Sequence, residues 1–185
     1  MLTRIHLIPI RMAAAASALA VTTALLAPGA AGAEGITAEP LTERLAFGDE
    51  VSFAITQRLD GLEPQEVEIP DGTHLAVSQF TIPPGEVFPW HTHPGTVLIG
   101  IKEGDFVFVF AEDCVEREYV GGSALVDPGD TPHTAWNPSE ETDTVVVATF
   151  LGVPAEGGLT IPVPEDEAAE FDARCGIETP GEHTH

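Results

Sequence analysis

Basic residues are scarce in this sequence. Its 185 residues include 30 Asp and Glu but only 7 Lys and Arg, which gives a formal net charge of −23 at pH 7. Nucleic acids and anionic membranes attract proteins through clusters of Lys and Arg that neutralise phosphate groups. The composition therefore argues firmly against nucleic acid or an anionic membrane as a partner, and it favours the attraction of cations.

Several sequence motifs are also missing. The sequence has no GxSxG segment, in which hydrolases carry a nucleophilic serine, and no glycine-rich loop of the kind that cradles phosphates. Amphipathic helix periodicity is not evident. After the N-terminal stretch, no apolar run approaches the roughly 20 residues of a membrane-spanning helix. These absences argue against stable membrane insertion, and they leave metal chemistry as the candidate chemistry.

Cysteine is rare, and the two residues present form an even pair. Cys114 and Cys175 lie far apart in the chain. In an exported protein such a pair is more often a disulfide than two reactive thiols. The chain-entropy model gives about 4 kcal/mol for closing a loop of about 60 residues. Free thiols or metal ligands are the alternative, but the close CxxC spacing that would support metal binding is missing.

The N-terminus has the three parts of a secretory signal peptide. Arg4 and Arg11 form a basic region, residues 12–26 form an apolar region, and Ala31-Gly32-Ala33 provides small residues for cleavage. We predict that residues 1–33 are removed near the Ala33-Glu34 bond and that the mature protein is secreted or otherwise extracytoplasmic. A retained N-terminal anchor is the alternative, although the apolar region is shorter than a membrane span.

The remaining chain has the pattern of an all-β barrel or sandwich. Short apolar or alternating segments are separated by turns rich in Gly, Pro and acidic residues. Residues 34–72 are expected to form an N-terminal strand and loop region. Residues 152–185 are expected to form an irregular segment with one helical turn near residues 166–171, tied back by the disulfide. Strands are predicted at 51–57, 67–69, 73–82, 97–101, 106–110, 115–120, 123–126 and 144–151.

A pair of histidines lies at the centre of this pattern. His91 and His93 are separated by one residue, and successive side chains on a β-strand alternate between faces. Two imidazoles one strand-step apart can therefore bind one metal ion from the same side. His133 is the candidate for a third ligand.

The segment around the pair resembles the first motif of the cupin superfamily. That motif is a glycine, five residues, HxH, three or four residues, a glutamate, six residues and a glycine. Gly85, His91, His93 and Gly104 occupy matching positions. Val97, or Leu98 with the longer spacing, stands at the glutamate position, and neither residue is acidic.

A second segment resembles the second cupin motif, which is a glycine, five residues, PxG, two residues, a histidine, three residues and an asparagine. Gly122, Pro128, His133 and Asn137 match, while Asp130 replaces the second glycine. The resemblance implies a double-stranded β-helix, or jelly-roll, barrel over residues 73–151 in a single domain. It also implies a divalent transition metal (Fe, Mn, Zn, Ni or Cu) on His91, His93 and His133.

Loss of the glutamate changes the expected chemistry. A glutamate would offset one unit of the metal's charge, whereas Val97 offsets none and contributes an apolar wall to the pocket. A more positive centre favours an anionic ligand and lowers the pKa of bound water. Asp130 is a candidate to replace the glutamate, although a loop contact or a hydrogen bond that orients His133 explains it better. Asn137 is a second candidate for an orienting contact.

Other residues near the motifs have expectations of their own. Trp90 and Trp136 are each next to a histidine, so on strands they should point away from the pocket and pack elsewhere. His74 is expected at the surface, and His183 and His185 in a C-terminal tail. The segment 106–110 is apolar on both faces, so its outer face could pack against a neighbouring sheet or a second subunit, which makes a homodimer plausible.

Two functions remain compatible with these observations. The first is a secreted metal-dependent enzyme, oxygenase-like or isomerase-like, acting on a small anionic molecule; no catalytic acid or base is assigned. The second is a non-catalytic module that binds or senses a small ligand or a metal ion. Cupins are used for both purposes, so the fold does not choose between them.

Overall fold

The structure is a computed structural model that describes residues 35–59, 63–69, 72–177 and 179. The predicted signal peptide (1–33) and the tail residues His183 and His185 lie outside the described residues. Within the described part of the chain, no helix is long and apolar enough to cross a membrane.

The described chain is almost entirely antiparallel β-structure, as the sequence predicts. The strands are β1 (Thr37–Pro40), β2 (Leu45–Ala46), β3 (Phe53–Gln57), β4 (Gln65–Ile69), β5 (His74–Ile82), β6 (Val87–Thr92), β7 (Val97–Glu103), β8 (Asp105–Phe110), β9 (Arg117–Val120), β10 (Ala124–Asp127), β11 (His133–Trp136), β12 (Thr144–Leu151) and β13 (Ile161–Pro162), followed by the helix α1 (Glu165–Cys175).

Two sheets enclose the core. One has the strand order β1-β5-β12-β7-β10, with β2 also paired to β5, and the other has the order β13-β6-β11-β8-β9; β3 and β4 form a separate hairpin. Alternation along the strands directs one face of each sheet inward, as in β12, where buried and partly buried residues alternate. The predicted jelly-roll barrel is therefore confirmed, and its core includes Ile82, Val97, Ile101, Phe106, Phe108, Phe110, Val146 and Phe150.

The N-terminal region contributes to the barrel more than its sequence predicted. We expected a strand at 51–57 and loops over the surface. The hairpin β3-β4 accounts for that strand, but Thr37–Pro40 also pairs with β5 and extends one sheet. All four residues of this added strand are exposed, so they carry no burial pattern that sequence periodicity could detect.

The C-terminal segment contains a regular helix of 11 residues, which includes the single turn expected near residues 166–171 and extends beyond it. The helix α1 begins with Glu165, Asp166 and Glu167, whose negative charges are favourable at a helix N-terminus. It ends at Gly176, which has φ 69° and closes the helix in a left-handed conformation. Phe171 is its one buried residue, so a helical hydrophobic stripe is nearly absent from the sequence.

This helix covers the outer face of β8. Phe106, Phe108 and Phe110 point into the barrel, while Val107 and Val109 point outward into a second apolar cluster that contains Phe171. The outward face that suggested a homodimer is thus buried within the same chain. The apolar character of residues 106–110 therefore no longer supports a second subunit.

The predicted disulfide between Cys114 and Cys175 is present, with the Cα atoms 5.0 Å apart. It fastens the last residue of α1 to the turn that follows β8. Trp90 adds to this attachment from β6, because its ring lies edge-on to Phe171 at 5.3 Å and its Nε1–H donates to Asp172 Oδ1 at 2.7 Å. Trp90 therefore points away from the barrel interior, as predicted.

Candidate metal centre

Three histidines meet inside the barrel. His91 lies near the end of β6, His93 follows that strand directly, and His133 opens β11, which pairs with β6 so that His133 is opposite His91. The ring centroids are 4.9 Å apart for His91 and His93, 4.2 Å for His91 and His133, and 5.1 Å for His93 and His133. These residues are only 9%, 7% and 1% exposed. They form a group of ligand atoms that could hold one metal ion.

Main-chain carbonyl groups determine which ring nitrogen carries the proton. Each Nδ1 lies against a carbonyl oxygen: Pro89 at 2.6 Å for His91, Leu159 at 2.6 Å for His93, and Thr131 at 2.9 Å for His133. Because a carbonyl oxygen can only accept, each Nδ1 is assigned as the donor and each Nε2 of the neutral ring keeps its lone pair. This is the tautomer and orientation found in metal-ligating histidines.

Burial keeps these rings neutral. The pKa of His133 is lowered to about 3, first by burial and then by the neighbouring His93. The pKa of His91 is lowered well below its ordinary value by burial and by the two other histidines. Burial also lowers the pKa of His93, although Asp127 acts in the opposite direction. At neutral pH the cluster therefore presents three unprotonated nitrogens.

A fourth polar group was not anticipated from the sequence. The strand predicted at 123–126 stops one residue short of Asp127, but in the structure Asp127 ends β10 and is completely buried. Its Oδ2 lies 3.4 Å from His93 Nε2 and 3.3 Å from His133 Nε2. Burial raises the pKa of Asp127 to about 6, against the lowering effect of His93. The sequence held one indication of this position. Asp127 is two residues from Leu125, which faces the core, so on a strand its acidic side chain also points inward.

Apolar groups surround the cluster. The ring of Phe108 stacks on His133 at 4.9 Å, and Phe150 meets His93 edge-on at 5.3 Å. Val97 is 1% exposed and belongs to the same core. The polar atoms of the centre are therefore enclosed by side chains that exclude water.

Asp130 does not join the cluster. Its side chain is exposed and accepts a hydrogen bond from Thr131 Oγ1 at 3.5 Å. The Nδ1 of His133 faces the carbonyl of Thr131 instead. Of the roles expected for Asp130, its hydrogen bond with Thr131 matches the loop contact, and it involves neither His133 nor the other histidines. His74, at the start of β5, also lies outside the group.

Asn137 stabilises a loop and makes no contact with the histidines. Its amide donates to the carbonyls of Ile82 at 2.9 Å and Thr142 at 2.8 Å, and its Oδ1 accepts from the main chain of Ser139 at 2.9 Å. The side chain is fully buried, so these bonds replace water completely. Asn137 was expected to orient His133, but its side-chain hydrogen bonds go to Ile82, Thr142 and Ser139 instead.

We expect Asn137→Ala to destabilise the fold and leave metal affinity within about twofold of wild type. Truncation leaves two carbonyl oxygens and one N–H without partners, which costs about 2–3 kcal/mol in the free energy of unfolding. Urea unfolding and metal titration of the same preparation measure both quantities. Ser139→Ala is the control, since its exposed hydroxyl makes hydrogen bonds in the same loop. A large loss of metal affinity with unchanged stability would contradict this assignment.

Part of the chain matches a known protein family. Residues 78–150 match the family model described as a cupin domain. The polyketide cyclase RemF from Streptomyces resistomycificus is a similar solved structure (17% identity over 77% of this chain and 80% of that chain, TM-score 0.48).

A cupin superfamily protein from Desulfitobacterium hafniense DCB-2 is also similar (14% identity, 60% and 84% covered, TM-score 0.39). The DMSP lyase DddQ from Ruegeria pomeroyi DSS-3 shares 20% identity, with 48% of this chain and 43% of that chain covered, at a TM-score of 0.42. No curated protein matches the chain. Likenesses this distant carry no activity over to it.

Proposed function

We propose that the function of this protein depends on a divalent transition-metal ion bound by His91, His93 and His133 inside the barrel, in the part of the chain that matches a cupin domain. One observation carries this proposal. The Nε2 atoms of His91 and His133 lie 3.1 Å apart, and neither carries a proton because each Nδ1 is hydrogen-bonded to a carbonyl. Two lone pairs at this distance repel each other unless a cation lies between them.

The donor set fits the ions named above. Neutral imidazole nitrogens suit Zn, Fe, Cu, Ni and Mn, and their hydrogen-bonded Nδ1 atoms give the rings the rigidity of a prepared site. A bound ion of this kind supplies Lewis acidity, and it has positions available for water or a small molecule. The chain's own contribution is to hold three nitrogens at one point and, through Phe108 and Phe150, to keep bulk water away.

For the function itself we propose a metal-dependent enzyme acting on a small molecule, with oxygenase-like and isomerase-like reactions as the candidate classes. The second candidate is a non-catalytic module that holds an ion or a small ligand. The burial of all three imidazoles favours this second candidate, because a closed site retains an ion well but admits a substrate poorly. We also propose that the protein is exported, which the disulfide supports since such bonds persist in oxidising compartments.

The metal proposal is tested by stripping the purified protein with a chelator and adding Co²⁺, whose d–d absorption reports nitrogen ligation. We expect about one tightly bound ion per chain, with a visible spectrum that Zn²⁺ abolishes by competition. Binding of several ions without a defined spectrum would indicate only the acidic surface and would contradict the site.

The choice between the two functions requires turnover measurements. Iron-loaded protein should consume oxygen with at least one member of a panel of small carboxylic acids and neutral analogues if it is oxygenase-like. Protein loaded with other metals should convert a substrate without oxygen if it is isomerase-like. Tight binding of a panel member without turnover under any of the five metals would favour the non-catalytic module.

A further inference from the structure

The carboxylate of Asp127 is the one part of the centre that the three histidines do not explain. Its Oδ1 accepts the main-chain N–H of Gly129 at 2.8 Å, so the turn after β10 fixes its orientation. Its Oδ2 is buried and has no hydrogen-bond partner among the described residues. That oxygen faces His93 Nε2 and His133 Nε2, the atoms that carry lone pairs. Burying such a carboxylate oxygen without a partner is costly, and a positive charge between these atoms would offset that cost.

The distances separate two explanations of this charge. A direct ion pair with a protonated histidine would form an N–H···O bond of about 2.7–2.9 Å. The observed separations of 3.4 Å and 3.3 Å are longer than that. Two ligands each about 2.1 Å from one ion are about 3.0 Å apart at a right angle and about 3.4 Å apart at a tetrahedral angle. The 3.1 Å separation of the nitrogens of His91 and His133 also falls in this interval.

The sheet register explains why a carboxylate is found here. β10 pairs antiparallel with β7, and Asp127 is directly opposite Val97. Directly opposite residues project to the same face, with Cβ atoms about 4.5–5.5 Å apart. Val97 is the position at which the cupin motif has its glutamate. An acidic side chain on the neighbouring strand can therefore reach the same space.

We propose that Asp127 is the fourth ligand of the metal ion and that its carboxylate takes the place of the glutamate missing at Val97. The inference rests on the proposed metal site and adds one residue from β10 to it. The charge balance of the centre then changes, because three neutral imidazoles and one carboxylate offset one unit of the ion's charge. The absence of a carboxylate at Val97 suggested an anionic ligand. With Asp127 bound to the ion, that electrostatic argument no longer applies.

The test compares Asp127→Asn with Asp130→Asn in the full chain. Both substitutions remove one carboxylate, from positions three residues apart, but Asp130 is exposed and outside the cluster. We expect Asp127→Asn to weaken Co²⁺ binding by at least about 100-fold. Removing a group that only hydrogen-bonds to a metal ligand already lowers metal affinity by about 10- to 100-fold. We also expect the Co²⁺ d–d spectrum to change. Asp130→Asn should keep both the wild-type affinity and the wild-type spectrum.

Each other outcome has a definite meaning. Unchanged affinity in Asp127→Asn would overturn the proposal. Weakened affinity with the wild-type spectrum would also overturn it, because a nearby charge that is not a ligand acts on affinity alone. If wild type itself binds no Co²⁺, the proposed function fails first. If wild type and Asp127→Asn bind Co²⁺ equally well, the proposal of a three-histidine site stands and only the proposed role of Asp127 is excluded.

A second measurement avoids substitution at Asp127, in case that variant does not fold. Infrared difference spectra of Zn²⁺-loaded and metal-free wild type should show a shift of carboxylate stretching bands. The corresponding difference for His91→Ala, His93→Ala, which retains the acidic surface, is subtracted to remove weak surface binding. A residual shift supports coordination by a carboxylate, and no residual shift overturns it.

Discussion

Replacing His91 and His93 together by alanine is expected to abolish tight metal binding. The double variant keeps only His133 of the three imidazoles. Structural sites with full ligand sets bind Zn²⁺ with apparent free energies of about 10–16 kcal/mol, so removing two ligands should weaken binding by on the order of 10⁴-fold or more. Isothermal titration with Zn²⁺ after chelator treatment measures the change. Elemental analysis of the purified proteins gives the corresponding metal content.

The control for this experiment is His74→Ala. That histidine lies at the start of β5, outside the three-histidine group, so its removal should leave affinity and stoichiometry unchanged. Circular dichroism and thermal unfolding of the metal-free proteins establish whether the double variant is folded. Equal metal content in folded wild type and folded double variant would remove the site hypothesis.

The second large effect concerns stability. Replacing both Cys114 and Cys175 by serine is expected to lower the free energy of unfolding by about 4 kcal/mol. The bridge joins residues separated by 61 positions, and opening a loop of that length returns conformational entropy to the unfolded chain. For a chain of this size the loss corresponds to a decrease in Tm of about 8–16 °C. Urea unfolding followed by far-ultraviolet circular dichroism measures it.

The same variant should show which part of the fold loses stability when the disulfide is absent. Trp90 packs against Phe171 of α1, so looser attachment of the helix should shift tryptophan emission to longer wavelength before the barrel unfolds. Wild type treated with a reducing agent is the control and should behave like the variant. A loss below about 1 kcal/mol would show that the helix is held by its apolar contacts and not by the bridge.

Much of the barrel could be predicted because its signals are local. Alternating apolar residues identify strands such as β5 and β12, since inward and outward positions follow directly from a two-residue repeat. The spacing of His91 and His93 predicts a shared face for the same reason. The even pair of cysteines predicted the bridge that the structure contains.

Two features lacked such signals. The helix α1 buries only Phe171 and is otherwise acidic, so it has almost no stripe of apolar residues for periodicity to detect. It forms where residues 106–110 present an outer apolar face and Cys114 provides a covalent attachment. The position of Asp127 depended on a register between two strands that lie far apart in the chain.

By itself the amino-acid sequence determined that this protein is an acidic all-β barrel with three histidines available for one metal ion. Those properties depend on composition, on a two-residue alternation and on motif spacing. Only the tertiary structure decided that Asp127, and not Asp130, is the acidic residue at the centre, and that the chain's own helix covers β8. The physical reason is that antiparallel pairing brings Asp127 opposite Val97 from a distant strand, and no local property of the chain specifies that register.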